Sequence, residues 1–161
     1  MTKIAITTAN LDWFDKLILN QIQQNADRTH AEIGGAVGLS ASAVRRRWQR
    51  LKDAGVLQSQ IAIIDVDPFG VTLIVDLCFS DETPELYAEF DRQMNALDVV
   101  QQSYHVAGDT DYVLVVHGPS LQWYEEWSKR IFMSDPYIKR YSSRVVWSRK
   151  KFSPAVIFED D

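Results

Sequence analysis

One segment, residues 39–57, constrains the fold most strongly, because it carries the beginning, both faces and the end of a single helix. Ser40 is a favourable N-cap residue, and Gly55 follows the last helical positions. The segment also holds five of the seventeen Lys and Arg residues of a chain whose formal net charge is −5. A cationic helix in an otherwise acidic protein indicates a helix that contacts a polyanion such as DNA.

The side chains of this helix separate into an apolar side and a cationic side. At about 100° per residue, Val44, Trp48 and Leu51 lie together and form the expected core side. The opposite side suits DNA, because Arg matches guanine O6 and N7, Gln matches adenine N6 and N7, and basic groups near the helix end hold phosphates. The predicted DNA-binding residues are Ser40, Ser42, Arg45, Arg46, Gln49, Arg50 and Lys52.

Arg47 occupies a different position on the same helix. It lies roughly 60 to 70° from the centre of the apolar side. We therefore expect its aliphatic stem to pack against the core and its guanidinium to pair with an acid such as Glu32.

Two more helices are predicted before this one. The first covers residues 11–25, and its aspartates suit the positive end of the helix dipole. The second begins with a capping box formed by Thr29 and Glu32. Gly34 and Gly35 each weaken this short helix by roughly 1 kcal/mol relative to alanine, which predicts a close approach of another helix there.

A basic helical face is commonly exposed to solvent and binds no ligand. This alternative to DNA binding applies to any isolated Arg-rich helix. A recognition helix, however, needs a supporting helix that holds it across the groove of the DNA. The short capped helix and the tight turn before residue 40 supply that support. The complete unit therefore favours DNA binding.

The remainder of the chain alternates strands and helices in the order βαββαβ, the plan of a ferredoxin-like α+β domain. A hairpin joins its second and third strands. The predicted elements are the strand 71–80, the helix 84–97, the strands 99–107 and 111–117, the helix 120–134 and the strand 139–149. Two helices cover only one face of such a sheet, yet large side chains such as Ile74 and Val146 occupy the other face. We expect a second subunit to cover that face.

The charge distribution supports a division into domains. Residues 1–60 contain eight basic and five acidic residues, whereas the rest of the chain contains nine and seventeen. The predicted arrangement is a winged-helix-like helix-turn-helix domain over 1–57, a connecting strand and linker over 58–69, a ferredoxin-like domain over 70–152 and a C-terminal tail over 153–161, whose acidic end 158–161 we expect to be frayed.

The composition excludes several classes of protein. A chain of 161 residues that is 46% hydrophobic and 24% charged is typical of a globular protein. No apolar run approaches the roughly 20 residues that span a bilayer, so we expect a cytoplasmic protein without a membrane partner. Cys78 is the only cysteine, so an internal disulfide and a Cys-based zinc cluster are excluded, and we predict neither a metal nor a cofactor.

Some side chains are capable of acid–base chemistry, but they do not form a catalytic pattern. Tyr104, His105, Tyr112 and His117 lie in predicted strands. Histidines in strands are more often edge or interface residues than catalytic ones. No activated nucleophile, phosphate loop or metal-ligand spacing accompanies them, so we predict no catalytic residues and no enzyme.

The order of several independent motifs resembles the Lrp/AsnC family of transcriptional regulators over nearly the whole chain. The motifs are Leu11-Asp12 with Asp15 and Ile18-Leu19, Val37-Gly38-Leu39-Ser40, Arg47, Arg50-Leu51, Gly55-Val56, the segment 62–70, and Gly108-Asp109-Thr110-Asp111-Tyr112. The resemblance implies double-stranded DNA as a partner and a homodimer that can associate into tetramers or octamers. It also implies control by a small effector, commonly an amino acid.

The resemblance further implies an effector site between dimers, formed by the glycine-aspartate loop and the last strand. Carried onto this chain, the effector-binding residues are Val106, Ala107, Gly108, Asp109, Asp111, Tyr112, Ser143, Arg144, Val145 and Val146. Carboxylates can receive an α-ammonium group, loop amides can hold an α-carboxylate, and valines can enclose an apolar side chain. On spacing alone, residues 108–110 are an ordinary hairpin turn.

Two alternative functions remain open from the sequence. Siroheme decarboxylases share the two-domain plan, so a resemblance to this family does not by itself exclude an enzyme. The cationic face of the third helix argues against that alternative, because an enzyme on this scaffold needs no DNA contacts. The other alternative is an effector-binding assembly protein whose DNA contacts are vestigial.

Overall fold

The computed structural model describes residues 11–158. The chain divides into two compact units, one made of residues up to 63 together with those from 152 onward, and one made of residues 64–151. The predicted domain limits at 57, 69 and 152 stay predictions. The acidic end 159–161 of the predicted frayed tail lies outside the described residues.

Three helices build the first unit: α1 (Trp13–Gln24), α2 (His30–Val37) and α3 (Ala41–Asp53). Asp12 caps α1 in a capping box with Asp15, and α2 begins with the predicted box of Thr29 and Glu32. The Ser40 side chain accepts a hydrogen bond from the backbone N–H of Ala43 and caps α3. All three helix starts are thereby confirmed, since each rests on a side chain that satisfies an otherwise unpaired backbone amide.

The core of this unit lies where the apolar sides of the three helices meet. The predicted core side of α3 is confirmed, because Val44, Trp48 and Leu51 are all buried. The buried hydrophobic residues among those described in this unit are Ile18, Leu19, Ile22, Ile33, Val37, Val44, Trp48 and Leu51. Full burial of a large aliphatic side chain stabilises a fold by roughly 1.5–3 kcal/mol, so these residues hold α3 in a defined orientation.

The two glycines of α2 differ in their surroundings. A Cβ atom on Gly34 would lie 2.4 Å from the backbone oxygen of Leu39, so only glycine fits beneath the turn. The close neighbour is thus the turn itself rather than another helix. A Cβ atom on Gly35 would have no neighbour within 4 Å, so the predicted close approach there is wrong.

The last described residues return to α1. The side-chain amide of Asn20 donates to the Phe158 carbonyl at 2.9 Å and accepts from the Phe158 N–H at 3.1 Å. Gln23 makes the same pair of hydrogen bonds with Val156, at 2.9 and 2.8 Å. Phe158, the first residue of the predicted frayed end, is therefore held by the Asn20 side-chain amide, as Val156 is by that of Gln23.

The predicted connecting strand does not form within the part of the chain that is described. No strand pairs with residues 58–66, and Gln60 instead donates a side-chain hydrogen bond to the Ala26 carbonyl at 3.1 Å. A strand needs a neighbouring strand for its backbone groups. None of the four strands of the chain supplies one.

The second unit has the predicted βαββαβ order. Its elements are β1 (Val71–Phe79), α4 (Pro84–Asn95), β2 (Val100–His105), β3 (Tyr112–Gly118), α5 (Leu121–Ser128), which continues as a π-helical turn (Lys129–Met133), and β4 (Ile138–Val145). The sheet order is β2-β3-β1-β4 with every neighbouring pair antiparallel. β4 ends at Val145, which pairs with Leu73, rather than at residue 149, and beyond it the Val146 N–H donates to the Thr72 carbonyl at 2.9 Å.

One face of this sheet is covered by the helices and the other is open. Leu73, Val75 and Leu77 of β1 are buried on the covered face, whereas the alternating residues are partly exposed. We call the other side the open face. Its side chains are Thr72, Ile74, Asp76 and Cys78 of β1, Val113, Val115 and His117 of β3, and Arg140, Ser142 and Arg144 of β4. No described helix has the length and apolar character needed to cross a membrane.

We expect Gly34→Ala and Gly35→Ala to change stability in opposite directions. The first adds a methyl group against backbone atoms and lowers the free energy of unfolding of the helical unit by about 1–3 kcal/mol. The second adds it in open space and raises that free energy by up to about 1 kcal/mol, through helix propensity. Hydrogen exchange of the α3 amides reports on this unit alone, and equal effects of the two substitutions would contradict the close approach at Gly34.

Candidate nucleic-acid interface and hairpin loop

The exposed side of α3 gathers most of the predicted DNA-binding side chains. A shallow concavity of about 560 Å³ follows this side of the helix. Its lining residues are Ser42, Arg45, Arg46, Gln49, Arg50 and Asp53. Arg45 and Arg46 are exposed, and both guanidinium groups present several donors in a planar fork. The concavity can therefore meet hydrogen-bond acceptors from outside the chain.

Two predicted residues lie at the ends of this surface and have local roles as well. The Ser40 hydroxyl caps α3 and lies 3.0 Å from the Ser42 hydroxyl. Lys52 lies over the Trp48 ring, with its Nζ 5.8 Å from the ring centre. Both remain exposed, so the predicted phosphate contact of Lys52 stays a prediction.

Asp53 belongs to the same surface and was missed by the sequence reasoning. Its carboxylate accepts a hydrogen bond from the Gln49 side-chain amide at 2.8 Å. This contact follows from the i, i+4 spacing of the two residues, which was the available signal. Asp53 therefore restrains the Gln49 amide at the end of the concavity.

A buried carboxylate links the start of α1 to α3. Asp15 is fully buried, and it accepts hydrogen bonds from Arg47 at 2.9 Å and from Arg50. Arg47 also contacts Asp12 at 2.5 Å, and its guanidinium lies 5.4 Å from the centre of the Phe14 ring. Burial is the largest single effect on Asp12 and opposes its ionisation, but the hydrogen bonds from Arg47 and from the Asp15 N–H, together with the charges of Arg47 and Arg50, outweigh it and lower the pKa of Asp12.

The predicted structural role of Arg47 is confirmed, but its predicted partner is wrong. Glu32 uses its carboxylate in the capping box with Thr29. Arg50 is half exposed and shares Asp15 with Arg47, so one side of its guanidinium is already engaged. Its contact with a phosphate stays a prediction that depends on its remaining donors.

The hairpin loop between β2 and β3 is held against the end of β1. The Val106 N–H donates to the Asp111 carbonyl at 2.9 Å and closes the loop. The Thr110 hydroxyl donates to the Leu77 carbonyl at 2.6 Å, and the Asp111 carboxylate accepts from the Phe79 N–H at 2.7 Å. Gly108 has φ +140°, which favours glycine. Ala107, Gly108 and Asp109 thus form an exposed, anchored tip.

Tyr112 does not lie with the exposed residues of the loop. Its side chain is buried, and its hydroxyl donates to Asp91 at 2.9 Å. Burial, followed by this hydrogen bond, raises the pKa of Tyr112. Only the backbone of Tyr112 is therefore available beside the loop.

The predicted residues of the last strand lie on different faces of the sheet. Ser143 faces the helices, where its hydroxyl lies 2.6 Å from that of Tyr124, and Val145 pairs with the buried Leu73 on the same side. Arg144 lies on the open face, where its Nη2 is 2.8 and 2.9 Å from the two carboxylate oxygens of Asp76. The fold therefore does not bring Ser143 and Arg144 into one cluster, since neighbouring strand residues alternate in direction.

Two open-face residues beside the loop were also missed. The Arg140 guanidinium donates to the Cys78 sulfur at 3.3 Å, and the Cys78 thiol donates to the Asp109 carbonyl at 3.4 Å. No pattern of neighbouring residues in the sequence places Arg140 beside the β2–β3 loop. The contact depends on the pairing of β1 with both β3 and β4.

Comparisons with known proteins match both parts of the chain. The AsnC-type helix-turn-helix domain matches residues 11–52, and the Lrp/AsnC ligand binding domain matches residues 72–156. An uncharacterised HTH-type transcriptional regulator of Sinorhizobium fredii is 33% identical over 151 residues, covering 92% of this chain and 89% of the relative.

Solved structures are also similar to this chain over most of its length. The crystal structure of an AsnC family transcriptional regulator from Agrobacterium tumefaciens is similar with a TM-score of 0.81 at 26% identity, over 91% of this chain and 96% of that one. A transcriptional regulator of Neisseria meningitidis in complex with L-Met has a TM-score of 0.81 over the same shares, and at 21% identity this likeness concerns the fold alone.

We expect Arg47→Ala to destabilise the helical unit and Arg45→Ala to leave it nearly unchanged. Arg47→Ala removes a hydrogen-bond donor from the buried Asp15 and lowers the free energy of unfolding by about 1–3 kcal/mol. Arg45 is exposed on the same helix, so its substitution changes that free energy by less than about 0.5 kcal/mol. Chemical denaturation followed by α3 hydrogen exchange measures both, and similar values for the two variants would refute the structural role of Arg47.

Proposed function

Since the chain belongs to the Lrp/AsnC family of transcriptional regulators, we propose that α3 reads a specific double-stranded DNA site and that an amino acid modulates this binding. The observation that carries the DNA proposal is the exposed cationic side of α3. Arg45 and Arg46 are free of the Asp15 network, whereas Arg47 and Arg50 are engaged by it. Arg45 and Arg46 are thus available to bind DNA from a helix that the core holds in place.

The surface of α3 combines two kinds of contact that protein–DNA recognition needs. In our proposal Arg46 and Gln49 contact base edges in the major groove, and Ser42 and Arg45 lie beside them. Each such side chain is directed outward from a helix whose other side is fixed in the core. Ser40, Arg50 and Lys52 would contact phosphates at the two ends of the helix, which orients the protein without reading sequence.

For the effector we propose the exposed tip of the β2–β3 loop. The tip is anchored on one side by the Thr110 and Asp111 side chains and is closed by the backbone hydrogen bond from Val106 to Asp111, so its backbone amides have defined positions. Asp109 would receive the α-ammonium group of an amino acid, and loop amides would hold its α-carboxylate. The L-Met complex of the structurally similar regulator supports an amino acid as the class of effector. The proposed site comprises Val106, Ala107, Gly108, Asp109, Asp111 and the backbone of Tyr112 from the loop. Arg144 and Val146 lie beside Ile74 and Thr72, toward the other end of β1, so in this proposal they come from the last strand of another copy of the chain.

We propose that a second copy of the chain covers the open face of the sheet. Ile74, Val113 and Val115 lie there in the middle of the sheet, and none of the described helices covers them. A homodimer would bury them and would present two copies of α3. Dimeric helix-turn-helix proteins read half-sites about one helical turn apart, which is the arrangement that a pseudo-palindromic site requires. Further association into tetramers or octamers belongs to the same proposal.

We expect Arg46→Ala to weaken binding to the specific DNA site by about 1–3 kcal/mol, as for the loss of one bidentate base contact. Gel-shift titration against the DNA upstream of the protein's own gene, at two salt concentrations, measures the loss. Arg92→Ala removes the same charge from the exposed side of α4 and serves as the matched control. Unchanged affinity in the Arg46 variant would show that another face reads the DNA, and binding that is absent or independent of salt would exclude the DNA proposal.

We expect Asp109→Ala to reduce the effector response while DNA binding without effector stays intact. The Asp109 side chain is exposed at the loop tip, and the hydrogen bond from Cys78 uses only its backbone carbonyl, so the loop keeps its anchors. Thermal unfolding with each amino acid in turn measures the response, because a ligand of the folded state raises the melting temperature. Asp98→Ala, in the exposed turn before β2, is the control. A full response in the Asp109 variant would remove this loop from the site.

A further inference from the structure

The register of β1 with β4 places one arginine at the loop end of the open face. Cys78 pairs with Arg140, which is the last pair before a β-bulge, because the next residue of β1, Phe79, pairs with Ile138 and leaves Lys139 as an extra residue in β4. Arg140 lies beside Cys78 on the open face, at the same end of the sheet as the β2–β3 loop.

The contacts of Arg140 leave most of its hydrogen-bonding capacity unused. Its Nη2 donates to the Cys78 sulfur at 3.3 Å, and thiol sulfur is a weak acceptor. Among the described residues, no carboxylate lies within ion-pair distance of its guanidinium. The hydrogen bond with Cys78 and, to a smaller degree, the charge of Asp109 raise the pKa of Arg140, so the loop carboxylate acts on it only at longer range. Arg144, on the same face and the same strand, differs because both oxygens of Asp76 lie within 3 Å of its Nη2. Within one copy of the chain, Arg140 is therefore an exposed cation whose planar donor fork makes no ion pair among the described residues.

The same cation is joined to the proposed effector loop through a single thiol. The Cys78 S–H donates to the backbone carbonyl of Asp109 at 3.4 Å, so Arg140 and the loop tip contact opposite sides of one sulfur atom. A ligand held at the loop tip by the Asp109 carboxylate and by loop amides lies within reach of this guanidinium. The loop alone satisfies the α-ammonium and α-carboxylate groups of an amino acid, which leaves Arg140 for a further group.

We infer that Arg140 is a specificity-determining residue that selects an effector with a second carboxylate, that is, an acidic amino acid. This inference rests on the proposed function, since it places the effector at the β2–β3 loop. A guanidinium binds a carboxylate through two parallel hydrogen bonds, and it gives no comparable interaction with a neutral amide. Acidic amino acids would therefore bind more tightly than their amides, although the two classes have nearly the same shape.

The test compares acidic amino acids with their isosteric amides on the full chain. Thermal unfolding and calorimetric titration are performed with L-glutamate and L-aspartate, and with L-glutamine and L-asparagine, at equal pH and ionic strength. We expect the acids to bind about 10- to 100-fold more tightly, as for hydrogen bonds between charged groups. Arg140→Gln should abolish this preference, and Arg140→Lys, which keeps the charge without the fork, should retain part of it.

Lys139→Gln is the matched control. It removes one positive charge from the adjacent residue, which is exposed and lies at the bulge, and it should leave the preference intact. The melting temperature of each variant without ligand shows whether it is folded.

Each other outcome overturns the inference in a distinguishable way. If neutral amino acids bind the unmodified protein as tightly as acidic ones, Arg140 does not select a carboxylate, while the proposed effector site stands. If Arg140→Gln keeps the preference for acidic amino acids, a cation other than Arg140 binds their second carboxylate. If no amino acid changes the melting temperature or DNA binding, the amino acid effector itself fails, and the inference fails with it.

Discussion

The arrangement of the helical unit depends on one buried carboxylate. Asp15 is fully buried at the start of α1, where an unpaired charge would cost several kcal/mol. Two guanidinium groups of α3 and the backbone N–H of Asp12 satisfy it. Because both arginines come from the same helix, α3 can pack against α1 only with this edge inward. The carboxylate therefore determines which residues of α3 remain outside.

This constraint divides four arginines of one helix into two functional groups. Arg47 and Arg50 complete the Asp15 network, and Arg45 and Arg46 point away from it. The network also holds α3 against α1, because the buried carboxylate restrains both guanidinium groups before any ligand binds. A recognition helix benefits from such support, since the orientation of its side chains decides which base edges they reach.

The second unit is organised by its sheet. Two helices cover one face of a four-stranded sheet and leave its other face open. Strand alternation places Leu73, Val75 and Leu77 on the covered face and Ile74 on the open one. The same alternation could not predict that Arg144 would meet Asp76, or that Arg140 would approach the β2–β3 loop. These contacts depend on the register of β1 with β4, which is not encoded by nearby residues.

The sequence by itself determined the helix starts, the βαββαβ order and the core side of α3, because capping and periodicity involve residues only a few positions apart. Only the tertiary structure decided the partners of Arg47, the end of β4 and the return of residues 152–158 to α1. Each of these depends on contacts between residues more than thirty positions apart in the chain. Such pairings follow from the packing of whole elements, and several acids along the chain could satisfy an arginine equally well until that packing selects one.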